Sequence, residues 1–155
     1  MTLLFLFFLP VFAYLLGSVP FGLVLTKLFT SVDIRKEGSR NIGATNVRRT
    51  AGNLLGVLTL IGDVAKGAVP VAVGVQAVPE GGFGSELFLA AVALCAFGGH
   101  LFPLFLRFRG GGKGVATWAG AVAAFSPVSV AVALLVFVMM VCFTEIGRAS
   151  CRERV

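Results

Sequence analysis

The chain has 155 residues, of which 57% are hydrophobic and only 13% charged, whereas soluble domains run nearer ~45–50% apolar and ~25% charged. With a mean hydropathy of +0.97, this composition excludes a soluble globular domain and a disordered chain, and places the protein in a bilayer. The 13 Lys and Arg against 7 Asp and Glu give a net charge of +6, which in so apolar a chain bears on membrane sidedness and not on nucleic acid. Cys95, Cys142 and Cys151 are scattered, two of them within apolar runs, which excludes a disulfide scaffold.

Thr2 to Thr26 carries no charge and is long enough to cross a ~30 Å hydrocarbon core. It has no basic leader and is too long for the apolar region of a signal peptide, so it predicts a transmembrane helix. Gly17-Ser18-Val19-Pro20-Phe21-Gly22 interrupts it, as a bend or a close backbone approach requires. A polar segment follows, and then a second span, 53–78, apolar except for Asp63 and Lys66. These lie on one helix face and should point into the bundle or a site, because an ionisable pair facing lipid is expensive. A third span is predicted over 87–106, ending in Gly98-Gly99-His100 and Pro103. The charge-free stretch 114–144 is too long for one span, and Ser126-Pro127 divides it into a short span and a second one from Val128. The expected fold class is all-α, a polytopic transmembrane helical bundle of about five helices.

Lys27, Arg35, Lys36, Arg40, Arg48 and Arg49 lie between the first two spans, and Arg107, Arg109 and Lys113 between the third and fourth. The connection between the second and third spans carries Glu80 and then Glu86 with no base. Both basic clusters therefore fall on one side, expected to be the cytoplasm, with the N-terminus outside. After Thr144 the text changes abruptly to Glu-Ile-Gly-Arg-Ala-Ser-Cys-Arg-Glu-Arg-Val, which matches the in-frame translation of a widely used short-read sequencing adapter. The expected organisation is an integral membrane domain over 1–144, incomplete at its C-terminus, and a non-native tail over 145–155. The rival reading is a genuine basic tail, for which Arg148, Arg152 and Arg154 have the right charge.

Two polar segments carry the chemistry. Val32 to Arg49 contains Gly38-Ser39-Arg40-Asn41-Ile42-Gly43-Ala44-Thr45-Asn46. Backbone N–H groups at glycines, the Ser39 and Thr45 hydroxyls and the Arg48 or Arg49 guanidinium suit a phosphate. Attraction to lipid headgroups would need only charge and leaves the Gly, Ser, Asn and Thr unexplained. The second segment reads Gly110-Gly111-Gly112-Lys113-Gly114-Val115-Ala116-Thr117: a glycine run and a lysine at a helix start, where an anion is favoured. It is not a Walker loop, which would need Ser or Thr at Gly114. His100, the single histidine, has no metal-ligand partners at the usual spacing, and no Asp follows it at the spacing of a His-x-x-x-x-Asp acyltransferase pattern. No Gly-x-Ser-x-Gly elbow occurs. No metal or cofactor is called for.

Gly38-Ser39-x-Asn41-x-Gly43-Ala44-Thr45-Asn46-Val47 with a following arginine, Asp63-x-x-Lys66-Gly67, and Gly99-His100-x-Phe102-Pro103 leading to Gly111-Gly112-Lys113-Gly114-Val115-Ala116-Thr117 closely resemble the bacterial acyl-phosphate:glycerol-3-phosphate acyltransferases, the PlsY family. The resemblance runs through residues 3–144 in order. It implies a membrane bundle of about seven helices, of which about five are present here. It also implies synthesis of lysophosphatidate from acyl phosphate and glycerol 3-phosphate at the cytoplasmic face of the bacterial inner membrane, with membrane lipid and the acyl-phosphate-producing enzyme as partners. By the same resemblance Ser39, Arg49 and Lys113 are catalytic. Asn41, Gly43, Thr45, Asn46, Asp63, Lys66, His100, Gly110, Gly111, Gly112 and Thr117 then bind substrate. Arg40 stands where the family often has glycine, and the run Gly110-Gly111-Gly112 is one glycine longer than the family spacing. A third family motif, with histidine, asparagine and glutamate, has no counterpart. An acyl phosphate already has a good leaving group, so catalysis is expected to rest on positioning and charge stabilisation. The alternative is a membrane transporter for a phosphorylated solute, since such proteins also use broken helices and intramembrane charge pairs.

Overall fold

Pro20, Pro103 and Pro127 mark helix boundaries in this chain while Pro10 and Pro70 lie inside helices, and glycine lets the helices touch. In the computed structural model, residues 3–79 and 81–143 are described; Glu80 and the expected tail 145–155 lie outside them. The first span is two helices, α1 (Leu3–Gly17) and α2 (Phe21–Phe29), bent by 45°. Pro20 caps α2 and has no N–H to continue the helical ladder. A short helix α3 (Ala44–Ala51) precedes α4 (Asn53–Ala77). α5 (Phe83–Leu101) is followed by a 3-10 turn, Leu104–Leu106. Helices α6 (Val115–Phe125) and α7 (Pro127–Phe143) complete the described residues.

The all-α bundle agrees with the sequence reading, and several boundaries differ for physical reasons. The break at 18–20 and the helix α3 raise the count to seven α-helices among the described residues, where about five were expected. α5 starts at Phe83 and not at Leu87, because Glu86 is tolerated in the first turn, where the helix dipole favours a carboxylate. It ends at Leu101 since Pro103 cannot continue it. The division at Ser126-Pro127 holds: Ser126 closes α6, and Pro127 opens α7, the position where its missing N–H costs nothing. α6 has 11 residues, a rise of ~16 Å, about half a hydrocarbon core, so it does not span alone. Among the described residues two helices, α4 and α5, are long and apolar enough to cross a membrane, and the bent α1–α2 pair makes a third.

The helices meet through glycine. A Cβ on Gly17 would overlap the backbone of Ala96, one on Gly67 the carbonyl of Thr117, and one on Gly120 the carbonyl of Val64. Small residues at crossings let backbones approach where lipid offers no hydrophobic drive between helices. Leu9, Ala13, Val71, Val92, Ala96 and Ala121 form the main buried cluster. Leu23, Ile34, Ile42, Val47 and Leu55 form a second one, beneath the first polar segment. Gly74 packs against Leu89 while Asp63 faces His100, so α4 and α5 run antiparallel. The segment that leads into α4 and the segment that leaves α5 consequently lie at the same end of the bundle.

Candidate active site

The first polar segment is folded around one amide. Asn46, 2% exposed, donates from Nδ2 to the carbonyls of Ile34 (3.1 Å), Glu37 (3.2 Å) and Asn41 (3.0 Å). Its Oδ1 accepts the Ser39 N–H at 2.9 Å. A carboxylate could not make the three donor contacts, so the residue type is dictated by the bonding pattern. Asn41 Oδ1 accepts the Gly43 N–H at 2.8 Å and shapes the entry to α3. Two residues here are left-handed: Gly38 at φ +59°, where a Cβ would overlap Asn46 Oδ1, and Arg40 at φ +58°. Arg40 thus sits in a conformation that glycine adopts without cost.

This frame leaves Ser39, Thr45, Arg48 and Arg49 exposed. The Arg48 backbone lies against Gly56 of α4, which seats α3 on the bundle. Asp33 at the segment's start bonds the Arg35 N–H at 3.2 Å and pairs with Arg35 and Lys36 at 3.4 and 3.7 Å. The Arg35 N–H foremost holds the Asp33 carboxyl below the usual carboxylate range; desolvation opposes it, and the Arg35 guanidinium and the Lys36 ammonium add smaller lowering effects.

The second group is buried. Lys66 Nζ lies 2.9 Å from Asp63 Oδ1 and donates to the Val19 carbonyl at 3.0 Å. That carbonyl belongs to the break between α1 and α2, so the lysine satisfies an acceptor the bend released. His100 Nδ1 lies 3.7 Å from Asp63 Oδ1 and 3.1 Å from Thr117 Oγ1. Among the described residues no buried side-chain nitrogen or oxygen lacks a partner. Above the network, Arg107, Phe108 and Gly110 have φ of +55°, +63° and +69° and reverse the chain. The Gly112 N–H then reaches the His100 carbonyl at 3.2 Å. A Cβ on Gly111 would overlap the Leu101 carbonyl and one on Gly112 would overlap His100 Nε2, whereas Gly110 has open space.

Lys113 is exposed at the end of this loop and lines an apolar cleft of about 680 Å³ between α5, α6 and α7. Leu94, Phe97, Trp118, Val122, Leu134 and Phe137 are among its walls, with Phe97 and Trp118 packed edge to face at 5.4 Å. Lys113 is the one charged residue in the lining. No group of three or more His, Cys, Asp or Glu that could hold a metal occurs among the described residues.

A sequence model of the glycerol-3-phosphate acyltransferase family matches residues 7–151. The chain belongs to that family. It is 51% identical over 129 residues to a glycerol-3-phosphate acyltransferase of Syntrophotalea carbinolica, covering 83% of this chain and 63% of that protein. The corresponding enzyme of Geotalea daltonii is 52% identical over 127 residues, covering 81% and 61%. Crystal structures of PlsY (YgiH), an integral membrane glycerol 3-phosphate acyltransferase, in a glycerol 3-phosphate form and a lysophosphatidic acid form, superpose with TM-scores of 0.77 and 0.75. Both are 41% identical, and they cover 89% and 88% of this chain and 66% and 64% of their own. The chain thus spans somewhat under two thirds of the length of these relatives. With these neighbours it is a bacterial membrane protein.

The acyltransferase residues expected from the sequence fall into two groups at one end of the bundle. Ser39, Asn41, Gly43, Thr45, Asn46 and Arg49 belong to the first. Asp63, Lys66, His100, Gly110, Gly111, Gly112, Lys113 and Thr117 belong to the second. No hydrogen bond or ion pair joins the groups among the described residues. Asn46, Asp63, Lys66, His100 and Thr117 are buried, and each makes at least one polar contact within the protein. Sequence reasoning did not anticipate the Val19 carbonyl, the helix α3 or the cleft. α3 mixes good helix formers, Ala and Arg, with Thr, Asn and Val of low helix propensity, so propensity alone did not mark it as helical.

Proposed function

We propose that the protein transfers the acyl group of an acyl phosphate to the sn-1 hydroxyl of glycerol 3-phosphate, giving lysophosphatidate and inorganic phosphate. The observation that carries this reading is Lys113, the one charged residue, at the edge of a cleft whose other lining residues are apolar except for Ser129. An ammonium beside an apolar cleft suits a substrate with an anionic head and an alkyl tail. A small phosphorylated solute has no use for such walls, and family membership also favours transfer over transport.

In this reading the alkyl chain lies between α5, α6 and α7, and the acyl phosphate head meets Lys113 and the N–H groups of Gly110 and Gly111, the Gly112 N–H being held by the His100 carbonyl. Arg49 and Ser39 hold phosphate from the other segment, with Asn41, Gly43 and Thr45 shaping the loop around it. The sn-1 hydroxyl oxygen attacks the acyl carbonyl carbon, the ester bond forms, and the bond from that carbon to the phosphate oxygen breaks. The hydroxyl proton passes to a substrate phosphate. Lys113 and Arg49 offset the negative charge that moves onto the departing phosphate. The basic residues around both segments support a site on the cytoplasmic side of the inner membrane, with the N-terminus outside, within reach of the enzyme that supplies acyl phosphate.

The test is acyl-phosphate-dependent lysophosphatidate synthesis in detergent, with no vesicle present, by the chain alone and by the chain joined after Phe143 to the remaining part of a relative. Product from either supports the enzyme, and product from neither overturns it. In an active form Arg49→Ala should abolish turnover and Arg48→Ala should reduce it less. Equal loss at both would mean that the segment acts through net charge alone.

A further inference from the structure

His100 touches the glycine loop twice. Its carbonyl accepts the Gly112 N–H at 3.2 Å, and its ring lies so close to the Gly112 Cα that any Cβ there would overlap Nε2. The ring itself has no room to turn. It is 4% exposed, Nδ1 lies 3.1 Å from Thr117 Oγ1, and Asp63 Oδ1 stands 3.7 Å away on the same side. Asp63 is in turn held by Lys66, whose second bond is to the Val19 carbonyl. The break between α1 and α2, then α4, α5 and α6, thus converge on one imidazole. The residue after Gly112 is Lys113, at the edge of the apolar cleft.

We infer that His100 is a positioning residue: its ring, locked by Thr117 and Asp63, is the surface on which Gly112 folds, and it thereby sets where the Lys113 ammonium points. The imidazole acts through the loop and not on a substrate. A hydrogen-bonded histidine that merely joined helices would have no preference for the loop. Here the absent Cβ at Gly112 and the left-handed turn at residues 107, 108 and 110 serve to bring the loop onto the ring. What the loop then holds, an acyl phosphate or glycerol 3-phosphate, rests on the proposed function.

The experiment is residue-resolved amide hydrogen exchange on the purified chain in lipid nanodiscs, comparing wild type with His100→Ala, Thr117→Val and Thr117→Ser. The Gly112 amide reports directly, because its N–H is bonded to the His100 carbonyl. His100→Ala and Thr117→Val should speed exchange at Gly112 and Lys113 by about tenfold or more relative to Val71 and Val92 in the core. Thr117→Ser keeps the hydroxyl and should stay within about threefold of wild type. Unchanged exchange at Gly112 overturns the inference, and so does a rise shared equally by α4, α5 and α6. Binding of glycerol 3-phosphate to the same samples tests the functional reading separately. If wild type shows no binding, the proposed substrate falls while the exchange pattern still decides the role of His100.

Discussion

The two halves of the candidate site use opposite means to hold a loop rich in glycine. Around Asn46 the bonds are neutral, run from one side chain to nearby backbone and span no more than 12 residues of sequence. Beneath Gly112 the bonds involve ionisable side chains from several helices, and Lys66 reaches a carbonyl 47 residues away. The first half could keep its shape through local geometry while the bundle breathes. The second exists only when α4, α5, α6 and the α1–α2 break are docked. A lipid-facing protein can place charged groups at depth in this way because each partner offsets the desolvation of the other.

The comparison breaks most clearly at the buried pair. Lys66→Ala would leave the Asp63 carboxylate buried without its ammonium and the Val19 carbonyl with only the Phe21 N–H. A loss of about 3–5 kcal/mol is expected, read as a lowered thermal midpoint in detergent. The double change Asp63→Asn with Lys66→Met should recover much of that loss. Asn46→Ala comes next, at about 2 kcal/mol, because the carbonyls it frees can reach water at the surface while the folded segment loses its hub. Its signature should be faster amide exchange confined to residues 34–46, with the α4–α6 core unaffected.

Smaller effects sharpen the same contrast. Arg40→Gly should stabilise the first segment by up to about 1 kcal/mol, since a left-handed residue with a Cβ costs roughly that much. A loss of stability would show that the Arg40 side chain makes contacts that outweigh the strain. Weakest of all is Asp33. Its lowered folded-state value means that its contribution is present above the ordinary carboxylate range and is lost as pH falls through the folded value. Asp33→Asn should lower stability slightly at neutral pH and so flatten the acid limb of the profile, because the contribution it removes is already absent at low pH. Changes to the buried network should lower stability at neutral pH as well.

Much of this was legible in residue order because composition, charge-free length and proline position act locally. The bilayer class, the spans at 53–77 and beyond, the break at Ser126-Pro127 and the basic clusters need no knowledge of what packs against what. The two polar segments could likewise be named, since glycines and hydroxyls next to arginine or lysine are an anion chemistry wherever they occur. Residue order could not tell which of those residues face outward. Asn46 looks like another polar residue of the loop until its four bonds show it to be the frame. His100, Asp63 and Thr117 lie on three different helices, and nothing in a 3.6-residue period brings them together. Only docking does, because the glycines at 67, 112 and 120 remove the atoms that would otherwise keep those backbones and that ring apart. Pairing across 17 and 37 residues is a property of packed volumes, and so it was decided by the tertiary structure alone.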